Sequence, residues 1–374
     1  MSRLVSSLLF AAVLFTGSEA LAWPTTTISG TGTASSPVQG YAWKDQGGGA
    51  WTKWNSVVYR DQAINDLKVA RRSATNIGPT WGAWSVETID NGAYDVGSVS
   101  LAMDGNGVEY VSYVDTTSKN LKFAKRVGGG AGNCFSGSDW DCATLVFGTV
   151  GQTAIGVSFD EQTQQNTIHI VYTRVDQGVV DLWHARKIGS GSWSTAWIRE
   201  TNAIWLGPEA LGFYGTTPRV AYGEAGVGLR YTRYQGPNQG DWVTSTIDAS
   251  GGSYASLVGK GLGQYIAYLS GAGSDLKFAS WNFLFGTWVL SPIDTSVSYH
   301  SLAVDDGLVP HIGYKKSNVP MRAKRPSTTW VIDTADSTFN TGYFTSIEID
   351  SQPATDTAIV THTNGFGTIR VSAE

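Results

Sequence analysis

The stretch SLAVDDGLVPHIGYKKSNVPMRAKRPSTTWVIDTAD, residues 301–336, looks at first like a cluster of chemistry, with two aspartates, a histidine and two lysines within its first sixteen positions. It reads differently beside SLAMDGNGVEYVSYVDTTSKNLKFAKR at 100–126 and SLVGKGLGQYIAYLSGAGSDLKFASWNFLFGTWVLSPID at 256–294. Each begins with Ser-Leu and a turn, runs through an alternating segment ending in Tyr, turns again, and enters a Leu-Lys-x-Ala element or its variant. Trp and Ile-Asp close the longer copies. The polar residues of 301–316 belong to a repeat, and a repeat governs how every other residue is read.

The leucine of the Leu-Lys-x-Ala element falls at Leu67, Leu121, Leu182, Leu229, Leu276, Met321 and Ile369. Its spacings are 54, 61, 47, 47, 45 and 48 residues. The tyrosine before it falls at Tyr59, Tyr113, Tyr172, Tyr222, Tyr268 and Tyr314, with His362 in the last copy. Seven units of four short strands, A to D, follow from the alternation of apolar and polar residues and from the Gly, Asn, Asp and Ser clusters between runs. One such unit cannot bury both faces by itself. Units stacked radially can, so the expected fold is all-β: a single seven-bladed β-propeller of four-stranded antiparallel blades. The last copy, TSIEID, TAIVTHT and TIRVSAE, lacks a fourth strand, and TTTISGT at 25–31 is spare. That N-terminal segment is expected beside the last strand, closing the ring.

The ends and the composition set further bounds. MSRLVSSLLFAAVLFTGSEALA, residues 1–22, has a basic start at Arg3, an apolar run from Leu4 to Phe15 and a small-x-small site at Ala20-Leu21-Ala22. It reads as a signal peptide, with residues 23–374 forming the propeller in repeats of about 45–60 residues and the mature protein secreted, extracellular or periplasmic. No later run approaches the roughly 18 apolar residues of a membrane span. The two cysteines, Cys134 and Cys142, close a short loop in the long second unit and are expected to form a disulfide. A net charge of −5 with 15 % charged residues argues against nucleic acid and against an anionic membrane surface as partners.

In these repeats the chain resembles the bacterial secreted propellers built on S-L-x-x-D-x-x-G-x-P-H-I-x-Y-x-D, then D-L-K-x-A, then W-x-x-x-x-x-D. More distantly it is similar to sialidase-like propellers and propeller lectins. The resemblance implies the fold. Function it leaves open, because a propeller is a scaffold with many uses.

Recurrence separates builders from exceptions. Asp305 matches Asp104, Asp160 and Asp350, and more loosely Asp45; these are expected to fix A–B turns by accepting backbone N–H bonds. His311 occupies a variable strand-B position shared with Ser56, Tyr110, His169, Arg219, Tyr265 and Ile359, and is read as packed between blades. Trp84, Trp193, Trp242, Trp288 and Trp330 open strand D and are read as wedges between blades, whereas Trp205, in NAIWLGPEAL, lies outside the pattern on a D–A connection. In an A–B–C–D meander the D–A connections and B–C turns share one face, and the start of strand A rims the central channel. Tyr254, Tyr299, His300 and Tyr343 fall there. Two places after the strand-B tyrosine the copies read Asp61, Asp115, Arg174, Glu224, Ser270, Lys316 and Asn364. The mixture of Arg174, Glu224 and Lys316 with aromatic residues is read as a mouth for one asymmetric ligand.

Catalytic patterns are sparse. The sialidase-type S-x-D-x-G-x-x-W turn is absent, and no G-x-S-x-G, H-E-x-x-H or phosphate-cradling loop occurs. Tyr299, His300, Lys316 and Arg174 are the residue types a polysaccharide lyase would need. The Asp-rich DDG at 305–307 and SGSDWD at 136–141 are read as turns rather than calcium loops, and no cofactor or metal is expected. The expectation is a secreted, non-enzymatic protein that binds a glycan on the D–A/B–C face. The alternatives are a polysaccharide-active enzyme, lyase before glycosidase, and a platform for an extracellular protein ligand.

Overall fold

The computed structural model describes residues 23–374 apart from 29, 76–79, 93–95, 202–203, 237–240, 271–273, 339 and 353–354. The expected signal peptide, 1–22, lies outside the described residues. The described chain forms seven antiparallel sheets, here blades 1 to 7, spanning 34–90, 96–146, 150–201, 204–248, 253–294, 297–334 and 343–373. First strands pack against one another all the way round, blade 1 on 2 through to blade 7 on 1, which closes the ring. The fourth strand of blade 7 is Thr25–Thr27, paired antiparallel with Ile369–Ala373 through Thr25↔Ser372, Thr26↔Val371 and Thr27↔Arg370. The N-terminal segment therefore closes the ring, as the spare strand implied.

Burial explains the pattern. Second strands are covered on both faces and read as nearly continuous buried runs, Glu109–Asp115 and Pro310–Lys316 being examples. Outer strands such as Trp242–Asp248 keep several residues, Val243, Ser245 and Thr246 among them, in solvent. Cores lie between blades: Val58, Leu67 and Ile89 of blade 1 pack with Val99, Leu101, Val111 and Trp140 of blade 2. Each such side chain, fully buried, contributes about 1.5–3 kcal/mol.

The repeated polar residues turn out to be joints between blades. The D-strand Asp90 accepts from Tyr113 Oη at 2.6 Å and Lys122 Nζ at 2.5 Å of the next blade. Asp248 does the same with Tyr268 at 2.7 Å and Lys277 at 3.0 Å. In the last joint Asp336 meets Arg370 Nε at 2.7 Å and His362 Nε2 at 3.5 Å. Ile-Asp, Tyr and Leu-Lys thus recur because they meet across a seam. The serine before strand-A leucine is a second joint: Ser100 Oγ accepts from Ile155 N, Ser301 Oγ from Ile347 N and Ser346 Oγ from Gln39 N, each on the following blade.

Asp104 and Asp305 accept from backbone N–H groups of their A–B turns, as do Asp45 and Asp160. Asp350 departs from them, accepting instead from Tyr41 and the buried Lys53 of blade 1. His311 is buried, with Nε2 3.1 Å from Asp305 Oδ2. Trp193 meets Phe123, Trp288 meets Tyr231 and Trp330 meets Phe278, each on the preceding blade at ring separations near 5 Å, which makes them wedges. Cys134 and Cys142 form the disulfide.

Candidate functional site

The chain must enter each blade at the axis, and there the first strand breaks register. The pairing of strands A and B slips between Ser35 and Val38, Val96 and Val99, Val150 and Thr153, Ser253 and Ser256, Ser298 and His300, and Tyr343 and Ser346. A bulge re-aims the side chain it carries. Blades 2 and 3 put Gly97 and Gly151 beside the cavity, while blades 5 and 6 put Tyr254 and Tyr299 there. Both tyrosines lie in the left-handed region, φ 54° and 51°, a conformation that side chains rarely adopt. They are also 51 % and 40 % exposed.

These bulges surround an axial cavity of about 570 Å³, lined from all seven blades. One side is mostly small, from Ser36, Pro37, Gly97, Ser98 and Gly151; the rings of Tyr254, Tyr299 and His300 come from blades 5 and 6. Among the described residues no lysine or arginine lines it.

The floor is a feature that repeat logic did not reveal. In blade 4 the first strand splits into Ile204–Trp205 and Leu211–Tyr214, and the intervening Gly207-Pro208-Glu209 turn reaches across the axis. Ser100 Oγ of blade 2 donates to Pro208 O, and Leu257 N of blade 5 donates to Glu209 O at 2.8 Å. The Glu209 carboxylate accepts from Ser301 Oγ at 2.7 Å and Ser346 Oγ at 3.2 Å, on blades 6 and 7. Gly207 is needed because a Cβ there would stand 2.7 Å from Ala255 O. Pro208 and Glu209 also line a lower cavity of about 330 Å³ with Glu348 and Lys260. The turn separates two cavities on one axis. Burial pushes the Glu209 carboxyl above its usual range against the pull of its serine donors. Burial, then the nearby Glu209, pushes Glu348 well above it, with Lys260 opposing.

The residues singled out from sequence divide sharply. Tyr254, Tyr299 and His300 line the upper cavity together. His300 is held by its Nε2 3.2 Å from Ala267 O, and burial lowers its pKa to about 4, so it is neutral at pH 7. Trp205 is 39 % exposed and pairs with Gly223 inside blade 4, rather than sitting on a free connection. It adjoins the cavity through Leu206. Lys316 is tied to Asp294 and Glu224 to Arg230 and Arg199; both serve seams or their own blade. Arg174 Nε donates to Thr149 Oγ1 at 3.3 Å. None of these three lines the cavity, so the four-residue lyase constellation is not assembled there. The Tyr343 backbone pairs with Thr363, but its side chain lies outside the described residues.

No protein-family model matches the chain, and no curated protein matches it. Solved structures match its fold. It is similar to a fungal lectin from Aleuria aurantia, a six-bladed propeller described with a novel mode of fucose recognition. That likeness has 14 % identity, covers 79 % of this chain and 94 % of that one, and has a TM-score of 0.50. YCF48 bound to D1 peptide is similar at 12 % identity, 94 % and 95 % coverage and a TM-score of 0.49. A neuraminidase-like protein from a Guatemalan bat source is similar at 8 % identity, 74 % and 88 % coverage and a TM-score of 0.49.

Proposed function

We propose that this chain is an exported binding protein that recognises a glycan at the upper mouth of its axial cavity. Sugar ring faces would lie on Tyr254 and Tyr299, with Trp205 at the rim and hydroxyls answered by Ser36, Ser98, Gln152 and Ser298. The observation that carries this reading is the pair of exposed tyrosines held in the left-handed region. Such a conformation costs roughly 1–2 kcal/mol for a residue with a Cβ, and blades 1, 2 and 3 carry no aromatic at the same bulge. Strain retained at a cavity mouth points to use there. The mouth offers hydroxyls, amides and ring faces without a lining cation, which suits a neutral sugar. The fungal lectin is precedent for sugar recognition on a propeller, no more. Export rests on the leader at 1–22 and agrees with the disulfide.

The test is a glycan array with the mature chain, followed by titration of the best binder against Tyr254→Ala and Tyr299→Ala. Removing one stacking face is expected to weaken affinity by about tenfold. Unchanged affinity in both variants would remove the axial reading. Degradation of a polysaccharide by the wild-type chain would favour the enzyme instead.

A further inference from the structure

A larger recess than the axial one opens on the side of the ring, between blades 4 and 5, at about 670 Å³. Tyr214, Tyr231, Trp281 and Trp288 line it, with Gln264 and Ser245 as polar groups and the 60 % exposed Phe283 on its rim. Two arginines, Arg219 and Arg233, face into the same space. They stand directly opposite each other on neighbouring strands, an arrangement of like charges that destabilises a sheet.

The repeat makes the pair conspicuous. At the equivalent register the other blades place Ser56 opposite Arg71, Tyr110 opposite Lys125, His169 opposite Arg186, Tyr265 opposite Ser280, His311 opposite Lys324 and Ile359 opposite Ala373. Blade 4 alone places arginine against arginine. Arg71 is answered by Glu109 and Lys324 by Glu374, whereas among the described residues no carboxylate lies within 4 Å of Arg219 or Arg233. Both are held by neutral groups instead. Arg219 Nη1 donates to Tyr234 O at 3.0 Å, and its guanidinium lies 5.8 Å from the Tyr214 ring. With its amide oxygen turned inward, Gln235 accepts from Arg233 Nε and Nη2 at 3.1 Å. Burial, with Arg233 adding to it, depresses the charged form of Arg219. Two positioned guanidiniums therefore lack an anion, in a recess of the size that holds small ligands.

We propose that this groove is a second binding site, for a glycan bearing carboxylates. The paired guanidiniums take the carboxylate as charge-assisted donors, while Trp281 and Tyr214 offer faces to the sugar rings. Trp281 lies outside the repeat pattern, unlike the wedge Trp288. This site goes beyond the axial reading and does not depend on it.

Titration calorimetry with oligogalacturonate and its methyl ester, a neutral analogue, tests the assignment on the whole mature chain. The acidic form is expected to bind at least about tenfold tighter than the ester, with affinity falling as salt rises. Arg219→Gln and Arg233→Gln should each weaken it by about tenfold or more while raising the unfolding midpoint, because a like-charge pair is relieved. The Tyr254→Gly/Tyr299→Gly variant should bind oligogalacturonate as wild type does, which separates the two sites. Absence of oligogalacturonate binding, equal affinity for the ester, or indifference to both arginine variants would overturn the proposal. So would equal or tighter capture of a polyglutamate peptide, which needs the charge but not the rings.

Discussion

Replacing Tyr254 or Tyr299 by glycine sets strain against function at a single atom, Cβ. At φ 54° and 51° the left-handed backbone costs a non-glycine residue roughly 1–2 kcal/mol. Alanine keeps that strain, because it keeps Cβ. Glycine relieves it and adds roughly 0.5–1 kcal/mol of chain entropy to the unfolded state. The glycine variant should therefore be about 0.5–1 kcal/mol more stable than the alanine variant at the same site, although glycine is normally the weaker residue in a strand. Both lose the same ring contacts, so the comparison cancels packing. Urea unfolding of wild type, alanine and glycine variants supplies the stabilities, and glycan titration of the same samples supplies affinity. The expected pattern is a glycine variant that folds better than its alanine partner and binds no better. An alanine variant as stable as the glycine variant would refute the strain. A glycine variant with wild-type affinity would refute its connection to the ligand.

The seams give further expectations. Burial raises the Asp248 carboxyl, but Ser250, Tyr268 and Lys277 outweigh it and hold the pKa at about 2; a depressed folded pKa contributes stability above the unfolded value and loses it as pH falls toward 2. Asp248→Asn should thus cost about 1–2 kcal/mol at pH 7, discounted for its solvent side, and the gap to wild type should narrow on acidification. Glu348 has the opposite sign: its raised folded pKa means the native state holds a proton that the unfolded chain releases, so its contribution weakens as pH climbs above the ordinary glutamate range. Glu348→Gln should flatten the fall in unfolding midpoint between pH 5 and 8, and an unaltered slope would contradict the burial of that carboxyl beside Glu209. Cys134→Ser with Cys142→Ser should lower stability by at most about 2.6 kcal/mol, the loop entropy for a separation of 8 residues, without changing the circular dichroism of the sheets.

The ring was legible in the sequence because it is periodic. Leu67 through Ile369 mark seven third strands, and the missing fourth strand of the last copy pointed to residues 25–31. The candidate site was legible only in part. Tyr254, Tyr299 and His300 could be placed at the mouth because strand order places every strand-A start there. Lys316 and Glu224 were misleading, since a charge at a turn looks the same in sequence whether it faces a ligand or answers Asp294 across a seam. The Pro208 turn was invisible for another reason. NAIWLGPEAL reads as a linker, and only the split of one strand around it shows that it crosses the axis. Arg219 and Arg233 sit 14 positions apart, and nothing in their spacing announces that they face each other.

The latch at Thr25–Thr27 has a consequence for how the molecule is made. Its partner strand lies almost at the other end, with Thr25 Oγ1 meeting Ser372 Oγ across a separation of 347 residues. Closing so long a loop opposes folding by about 5 kcal/mol of chain entropy. During synthesis this strand emerges long before its partner and waits, unpaired, for it. Until it docks, the seventh blade shows an open edge, and any other copy's latch fits that edge equally well. Concentrated, unfolded chains should exchange latches and link into swapped oligomers, whereas dilute chains close on themselves.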